Sequence, residues 1–319
     1  MTGEDISARL VEIKRVLEDW FKGSLEMASP LAPLTTFHIG GPAGLLARPK
    51  GHEDLTLILQ EAAGSDLALL VLGRGSNVLI SDEGFPGIVI VLGEGFSRIK
   101  REGRSEVDIE AGCDLNHLVA WAIERELGGV EPMAGIPGSI GGAVRMNAGA
   151  RGVCIGERVE EISVLRVERK HVKDQRIAAA AIGFGYRRTG IADNEVIYRV
   201  RLRLDPESDK AGLEARRKEV LQWRRHHQPL SQPSAGSIFR NPDGAPAGEL
   251  IDACGLKGRR VGQAMVSEKH ANFIVNLGGA TARDVYGLIS VIKEEVSRRR
   301  GIELEEEIRL IGEMGGGSS

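Results

Sequence analysis

Apolar residues recur along this chain with two distinct periods, and the changes between those periods mark out its elements. Leu10, Ile13, Val16, Leu17, Trp20 and Phe21 share one face at helical spacing. That spacing predicts a helix over 7–21 with Ser7 as its N-cap. A Pro- and Ala-rich linker (29–33) leads into a loop and strand around Gly40 and Gly41. Residues 54–63 read as a second helix. The run LALLVL (67–72) reads as a buried strand leading straight into GRGSNVLI (73–80). Strands follow at 88–92 and 107–111. Asp114 then caps a helix carrying Leu115, Leu118, Val119, Ala122, Ile123 and Leu127, stopped by Gly128 and Gly129.

Beyond residue 150 the period switches to two, through 159–167 and again through 196–204. In the latter, Val196, Tyr198, Val200, Leu202 and Leu204 alternate with Arg199, Arg201 and Arg203, which predicts a half-buried strand with a solvated basic face. Asp205 and Pro206 break the pattern and mark a domain boundary. A basic helix at 210–227 precedes a loop (228–248), a helix ending at Cys254 with Gly255 as its stop, and a strand at 272–276. Thr281 and Asp284 form a capping box for a helix with Val285, Leu288, Ile289, Ile292 and Val296 inside. Residues 302–311 alternate enough to predict a last strand. The sum is an α+β protein in three lobes, 1–82, 83–205 and 206–312, with 313–319 as a disordered tail.

Between the two halves lies GIPGSIGGAVRMNAGA (135–150), which packs Gly135, Gly138, Gly141 and Gly142 into eight positions. Such density means backbone held at positive φ or pressed close to a partner. Two readings are open: a backbone cradle for a flat, polar-edged cofactor, or an ordinary tight loop. GRGSN has the same ambiguity. Its glycines let successive N–H groups face one concavity suited to a diphosphate, and Ser76 and Asn77 add donors. It lacks the third glycine of a dinucleotide fingerprint and the Lys-Ser/Thr of a P-loop, which argues against a nucleoside triphosphatase.

Composition narrows the classes. Hydrophobic content of 42% and charged content of 27% over 319 residues describe a globular chain of more than one domain. A net charge of −3 offers no global attraction to nucleic acid or an anionic membrane. Cys113, Cys154 and Cys254 are far apart, without metal-ligand spacing, and are expected to be reduced, buried and unreactive. The adjacent His226 and His227 cannot easily share one ion, so no metal is expected. No run is long and apolar enough to span a bilayer, and the opening MTGEDISARL has the wrong order for a secretory signal. A cytoplasmic protein is expected.

Taken together, GRGSN and 135–150 resemble the flavin-binding lobes of the vanillyl-alcohol oxidase/PCMH-type fold, in which the FAD diphosphate lies between two glycine loops. Four further segments narrow the resemblance to the UDP-N-acetylenolpyruvoylglucosamine reductase family: TTFHIGGPA (35–43), FGYR (184–187), PSAGSIFRNP (233–242) and LEEEI (304–308). It covers roughly residues 30 to 312, and the short stretch between Arg187 and Val196 resembles the class that lacks an inserted substrate-covering loop. The resemblance implies two FAD-binding lobes (1–82 and 83–205) and a C-terminal substrate domain (206–312). It implies non-covalent FAD, with NADPH as hydride source and a UDP-sugar as substrate. Gly73, Gly75, Ser76, Asn77, Gly138, Ser139, Gly142 and Asn147 are the expected flavin residues. His38 lies outside the context of covalent flavin attachment and is expected on an exposed strand.

Carried over residue by residue, the family's proton donor falls on Ser237, its active-site arginine on Arg187 and its carboxylate on Glu307. Arg224 and Arg225 of the basic helix, and Asn241 after it, could neutralise the diphosphate of a UDP-sugar, the resemblance supporting Asn241 better than either arginine. Tyr186 is a further substrate-binding candidate. The implied reaction reduces an enol ether conjugated to a carboxylate. Hydride passes from NADPH through FAD to the vinyl carbon, and the enolate-like intermediate is protonated on its other carbon. An arginine would stabilise the developing negative charge, and a serine would deliver the proton as a general acid. Read without the resemblance, Ser237 is a common serine beside glycine and Glu307 one glutamate on an acidic edge. Two positions depart from the family pattern: Arg151 stands where an aromatic is usual, and Thr189 where a serine is. A flavin oxidase of the same superfamily and a flavin-binding scaffold without turnover are the alternatives. The serine loop and LEEEI argue against the oxidase, and the presence of all three chemical residues argues against the scaffold.

Overall fold

In a computed structural model, which describes residues 2–169, 171–206 and 209–314, the chain forms two compact units. The first comprises residues up to Ala28, Gly44–Arg74 and Pro86–Gln222; the second comprises Ser29–Ala43, Gly75–Phe85 and the chain from Trp223 onward. Each has its own apolar core. This division differs from three consecutive lobes. Asp205–Pro206, read as a boundary, instead pairs as a short strand with Leu127–Gly128 in the first unit. Division falls later, within the helix Lys210–His227. The fold is α+β.

The first unit is built on two sheets. One has the strand order Ser24–Met27, Ala43–Arg48, Phe85–Val91, Leu69–Leu72, with its last pair parallel. The other is antiparallel, in the order Val172–Ala178, Val159–Val167, Glu195–Arg203, Glu106–Glu110, Ile99–Glu102. Val196, Val200, Leu202 and Leu204 alternate into the core as their period requires. Their basic neighbours are not simply solvated. Arg201 stands opposite Asp108 in register and binds it at 2.7 and 3.0 Å, and Arg203 pairs with Glu106 at 3.0 Å and with Glu160. Cross-strand charge pairs of this kind stabilise a sheet face by tenths of a kcal/mol up to about 1 kcal/mol.

Local signals were obeyed where the cap chemistry is local. Asp114 caps Leu115–Glu124 by accepting from the N–H groups of Asn116 and His117. Thr281 and Asp284 close the capping box of Ala282–Arg300. The first helix starts earlier than Ser7: Thr2 and Asp5 form a reciprocal box, and the helix runs Gly3–Leu17. Trp20 falls beyond it and is 73% exposed. Glu126, at φ 56°, rather than Gly128, turns the chain after Leu115–Glu124.

The second unit holds a three-stranded antiparallel sheet, Arg260–Val261, Ala264–Val266 and Ile274–Asn276, against the helix Ala282–Arg300. Val78–Ile80 pairs in parallel with Arg309–Ile311. Of the expected strand 302–311, Arg309–Ile311 is strand and Glu306 forms an isolated bridge with Phe239. His38 is exposed as expected, but in a turn at φ 56° rather than on a strand. Most of the expected disordered tail lies outside the described residues. Among the described residues no helix is long and apolar enough to cross a membrane, and no group of three or more His, Cys, Asp or Glu is placed to hold a metal ion.

Candidate active site

In the first unit the two glycine segments meet. A Cβ at Gly73 would lie 2.2 Å from Ser139 Oγ, far inside any real contact. Ser139 is buried and caps the helix Ile140–Arg145, its hydroxyl accepting from the Gly142 N–H at 3.3 Å. Gly135 and Gly138 hold φ of 77° and 152°, which L side chains rarely adopt. Gly141 serves packing, since its Cβ would sit 2.9 Å from Ala111 Cβ. Arg74 Nε reaches Asp114 at 3.0 Å, and Asp114 forms a β-bridge with Ser139. Both segments come together with glycine at Gly73 and Gly142, and Gly142 is exposed. Such a junction fits a flavin diphosphate, which needs N–H groups and close backbone approach.

Asn147, also expected among the flavin residues, is held by its side chain. It is buried, with φ 43°. Its Oδ1 accepts from the Gly156 N–H at 3.0 Å and its Nδ2 donates to the Gly185 carbonyl at 2.9 Å. The amide thus ties 135–150 to the FGYR turn. In that turn Arg187 is half-buried at φ 54°, and its Nη2 donates to the Gly149 carbonyl at 2.9 Å. Tyr186 is about half exposed, with the Arg187 guanidinium 5.2 Å from its ring centroid. Both departures from the family pattern are absorbed locally. Arg151 pairs with Glu219 at 2.7 Å, and the Thr189 hydroxyl donates to the Arg145 carbonyl at 3.0 Å.

In the second unit the segment Ser237–Arg240 runs between two others. Ser237 bridges Phe273 on one side. On the other, the Glu307 N–H donates to the Ile238 carbonyl at 2.7 Å and the Arg240 N–H to the Glu305 carbonyl at 2.9 Å. Ser237 and Glu307 are both half-buried, so the fold brings these two together. Asn77 joins them: its Nδ2 donates to the Glu307 carbonyl at 3.1 Å, and its own carbonyl accepts from Arg309. Gly75, at φ 58°, approaches the chain so closely that a Cβ would meet the Leu34 carbonyl at 2.1 Å. Its carbonyl accepts from Thr36, whose carbonyl accepts from Ser234. TTFHIGG thereby links Gly75 to the serine loop. Ser76 is half-buried beside them.

The remaining sites are more peripheral. Asn241 is exposed, and its Oδ1 accepts from Ala247 N at the start of the helix Ala247–Ala253. Arg225 is exposed and its carbonyl is bound by Lys269 Nζ. Arg224 is buried and donates to Gln228 Oε1 at 3.1 Å, so it is packed rather than presented. Arg216 of the same helix pairs with the buried Glu131 at 2.8 Å. Cys113 and Cys254 are buried and Cys154 is half-buried. Burial pushes the Cys113 thiol up to about 12. Asn272, which sequence reasoning passed over, is buried beside the serine segment. No local pattern distinguishes such an asparagine from a loop residue.

Two family models match the chain: an FAD binding domain over residues 43–168 and a UDP-N-acetylenolpyruvoylglucosamine reductase C-terminal domain over 228–311. A UDP-N-acetylenolpyruvoylglucosamine reductase of Chloroherpeton thalassium is 44% identical over 305 residues, covering 93% of this chain and 96% of that protein. A reductase of the same name, numbered 2, from Symbiobacterium thermophilum is 43% identical, covering 91% and 93%. Among solved structures, the UDP-N-acetylenolpyruvylglucosamine reductase of Thermus caldophilus superposes with a TM-score of 0.77 at 36% identity, covering 92% of this chain and all of that one.

Proposed function

The chain belongs to the UDP-N-acetylenolpyruvoylglucosamine reductase family, and on that footing we propose that Ser237, Arg187 and Glu307 carry its chemistry. It is an FAD-dependent, NADPH-driven oxidoreductase that converts UDP-N-acetylglucosamine enolpyruvate to UDP-N-acetylmuramate in peptidoglycan precursor synthesis. The fold is of the vanillyl-alcohol oxidase/PCMH type with an added C-terminal α+β domain. When bound, FAD would supply the hydride-transfer chemistry that links NADPH to the vinyl carbon.

Gly73, Gly138, Ser139 and Gly142 are the backbone cradle for the diphosphate, and Gly75, Ser76 and Asn77 are flavin residues as well. Arg187, fixed by its bond to the Gly149 carbonyl, lies with its positive charge toward the substrate carboxylate and stabilises the enolate oxygen as charge builds there. Glu307 shares in holding that intermediate. Ser237 gives its hydroxyl proton to the carbon next to the carboxylate, a general-acid step worth on the order of 10²- to 10⁴-fold. Tyr186, Arg225 and Asn241 hold the UDP-sugar. The reaction belongs in the cytoplasm, where NADPH and UDP-sugars are kept.

The observation that carries this reading is the Glu307 N–H bond to the Ile238 carbonyl, which fixes the carboxylate segment one residue from Ser237. A flavin oxidase has no need of an acid and a carboxylate held together in this way. The test separates the half-reactions. In Ser237→Ala, NADPH still reduces the flavin, while anaerobic reoxidation by the enolpyruvyl sugar slows by roughly 10²-fold or more. Equal losses in both half-reactions would make Ser237 structural, and reoxidation by oxygen alone in the wild type would overturn the reductase reading.

A further inference from the structure

We infer that Asn272 is a positioning residue for the proton donor Ser237, acting by extending a β-ladder with its side chain; this rests on the reading of Ser237 given above. Asn272 is 3% exposed. Its backbone carbonyl accepts from the Ile238 N–H at 2.9 Å, as a strand neighbour would. Its side chain then supplies a second register position. Oδ1 accepts from the Phe239 N–H at 2.9 Å, and Nδ2 donates to the Phe239 carbonyl at 2.8 Å. A carboxamide carries the same donor and acceptor as a peptide group, so it can replace a strand residue that the chain itself does not provide.

The need for such a substitute is visible in the path of the chain. Phe273 bridges Ser237, but just before Asn272 the backbone turns through His270, whose Nδ1 accepts from the Asn272 N–H at 3.3 Å. Continuing the ladder past Ile238 with backbone alone is therefore not possible on this side. Without the amide, both polar groups of Phe239, itself 1% exposed, would be buried without these partners, a costly state for a peptide group. Relief would come by twisting Ser237–Arg240, and Ser237 lies only two residues from the fixed point. Proton delivery to carbon is sensitive to aim: a displacement on the order of 1 Å costs about 10²-fold.

The amide cannot be replaced by its nearest isostere. In Asn272→Asp, compared at alkaline pH where the carboxyl is ionised, one oxygen still accepts from Phe239 N–H, but the other faces the Phe239 carbonyl, acceptor against acceptor. Asn272→Asp and Asn272→Ala should therefore bind flavin and be reduced by NADPH at wild-type rates. Reoxidation by the enolpyruvyl sugar should slow at least tenfold, chiefly in kcat rather than KM. Hydrogen exchange at the Phe239 amide, followed in the purified protein without substrate, should quicken in both.

The double variant Ser237→Ala/Asn272→Ala decides whether the effect passes through the serine. If it does, the double variant reoxidises no more slowly than Ser237→Ala alone. Additive losses, or wild-type reoxidation in Asn272→Asp with a quickened Phe239 amide, would overturn the inference. Wild-type reoxidation in Ser237→Ala would instead remove the reading on which it rests. Should Asn272→Ala not fold, Asn272→Asp and the exchange rate still decide.

Discussion

Gly73 and Ser139 touch where the two glycine segments of the first unit converge, with room between them for a hydrogen atom but not a methyl group. Adding that methyl forces the Ser139 hydroxyl away and with it the cap on Gly142 N. Gly73→Ala should therefore lose the cap, about 1 kcal/mol, and weaken FAD binding, measured as flavin retained after gel filtration and as the dissociation constant on reconstitution. Adding Ser139→Gly removes the obstructing hydroxyl and should recover part of the affinity. Full flavin affinity in Gly73→Ala alone would mean the junction does not hold the diphosphate.

Asn147 was expected among the flavin contacts, yet its carboxamide joins Gly156 to Gly185. Asn147→Ala strands two backbone groups, which predicts a loss of about 2–3 kcal/mol of stability in urea unfolding. Freed from Gly185, the FGYR turn no longer fixes Arg187, so reoxidation by the sugar should slow more than reduction by NADPH. A variant that instead loses flavin with unchanged stability would assign Asn147 a direct flavin contact.

Arg187→Lys keeps the charge but gives up the planar fork that bonds the Gly149 carbonyl. The expected result is a rate of sugar-dependent reoxidation at least tenfold lower, with NADPH-dependent reduction intact. Wild-type rates in the lysine variant would show that charge alone is required there.

Legibility followed the reach of the interaction. Asp114 and Thr281 were readable because a cap and its donors lie within three residues. Ser7 misled because Thr2 and Asp5 offered the better box a few residues earlier. The strand Val172–Ala178 left no signal: VKDQRIA is polar at most positions and largely exposed, and it is held by its ladder with Val159–Val167. Arg224 looked like the outer face of a basic helix, and only tertiary packing buries it. The division into units was illegible for the same reason, since 29–43 and 75–85 pack with chain far along the sequence. At the site, motif residues were found by resemblance. The asparagines that hold those motifs in place bond to backbone 38 residues away at Asn147 and 230 residues away at Asn77.

His270 makes the second unit sensitive to acid. Burial first, and then the neighbouring Lys257, hold its imidazole below the ordinary histidine value of 6.5. Neutral, it accepts at Nδ1 from the Asn272 N–H; protonated, it has no lone pair to offer there. The unfolded chain takes up a proton near 6.5 while the folded one resists. Stability from this group is therefore complete above the unfolded value, declines as pH falls through it, and levels off below the folded value. Urea midpoints across the acid range should show it as a difference curve. Wild type should lose stability relative to His270→Gln as pH drops below about 6.5, with parallel profiles at higher pH. Reoxidation by the sugar should weaken only further down, where the folded protein's own imidazole takes up its proton, and less so in the variant, because the bond lost is the one next to the Ser237 ladder. Profiles that stay parallel through the acid range would mean that folded His270 takes up its proton as readily as the unfolded chain does, its bond to Asn272 notwithstanding.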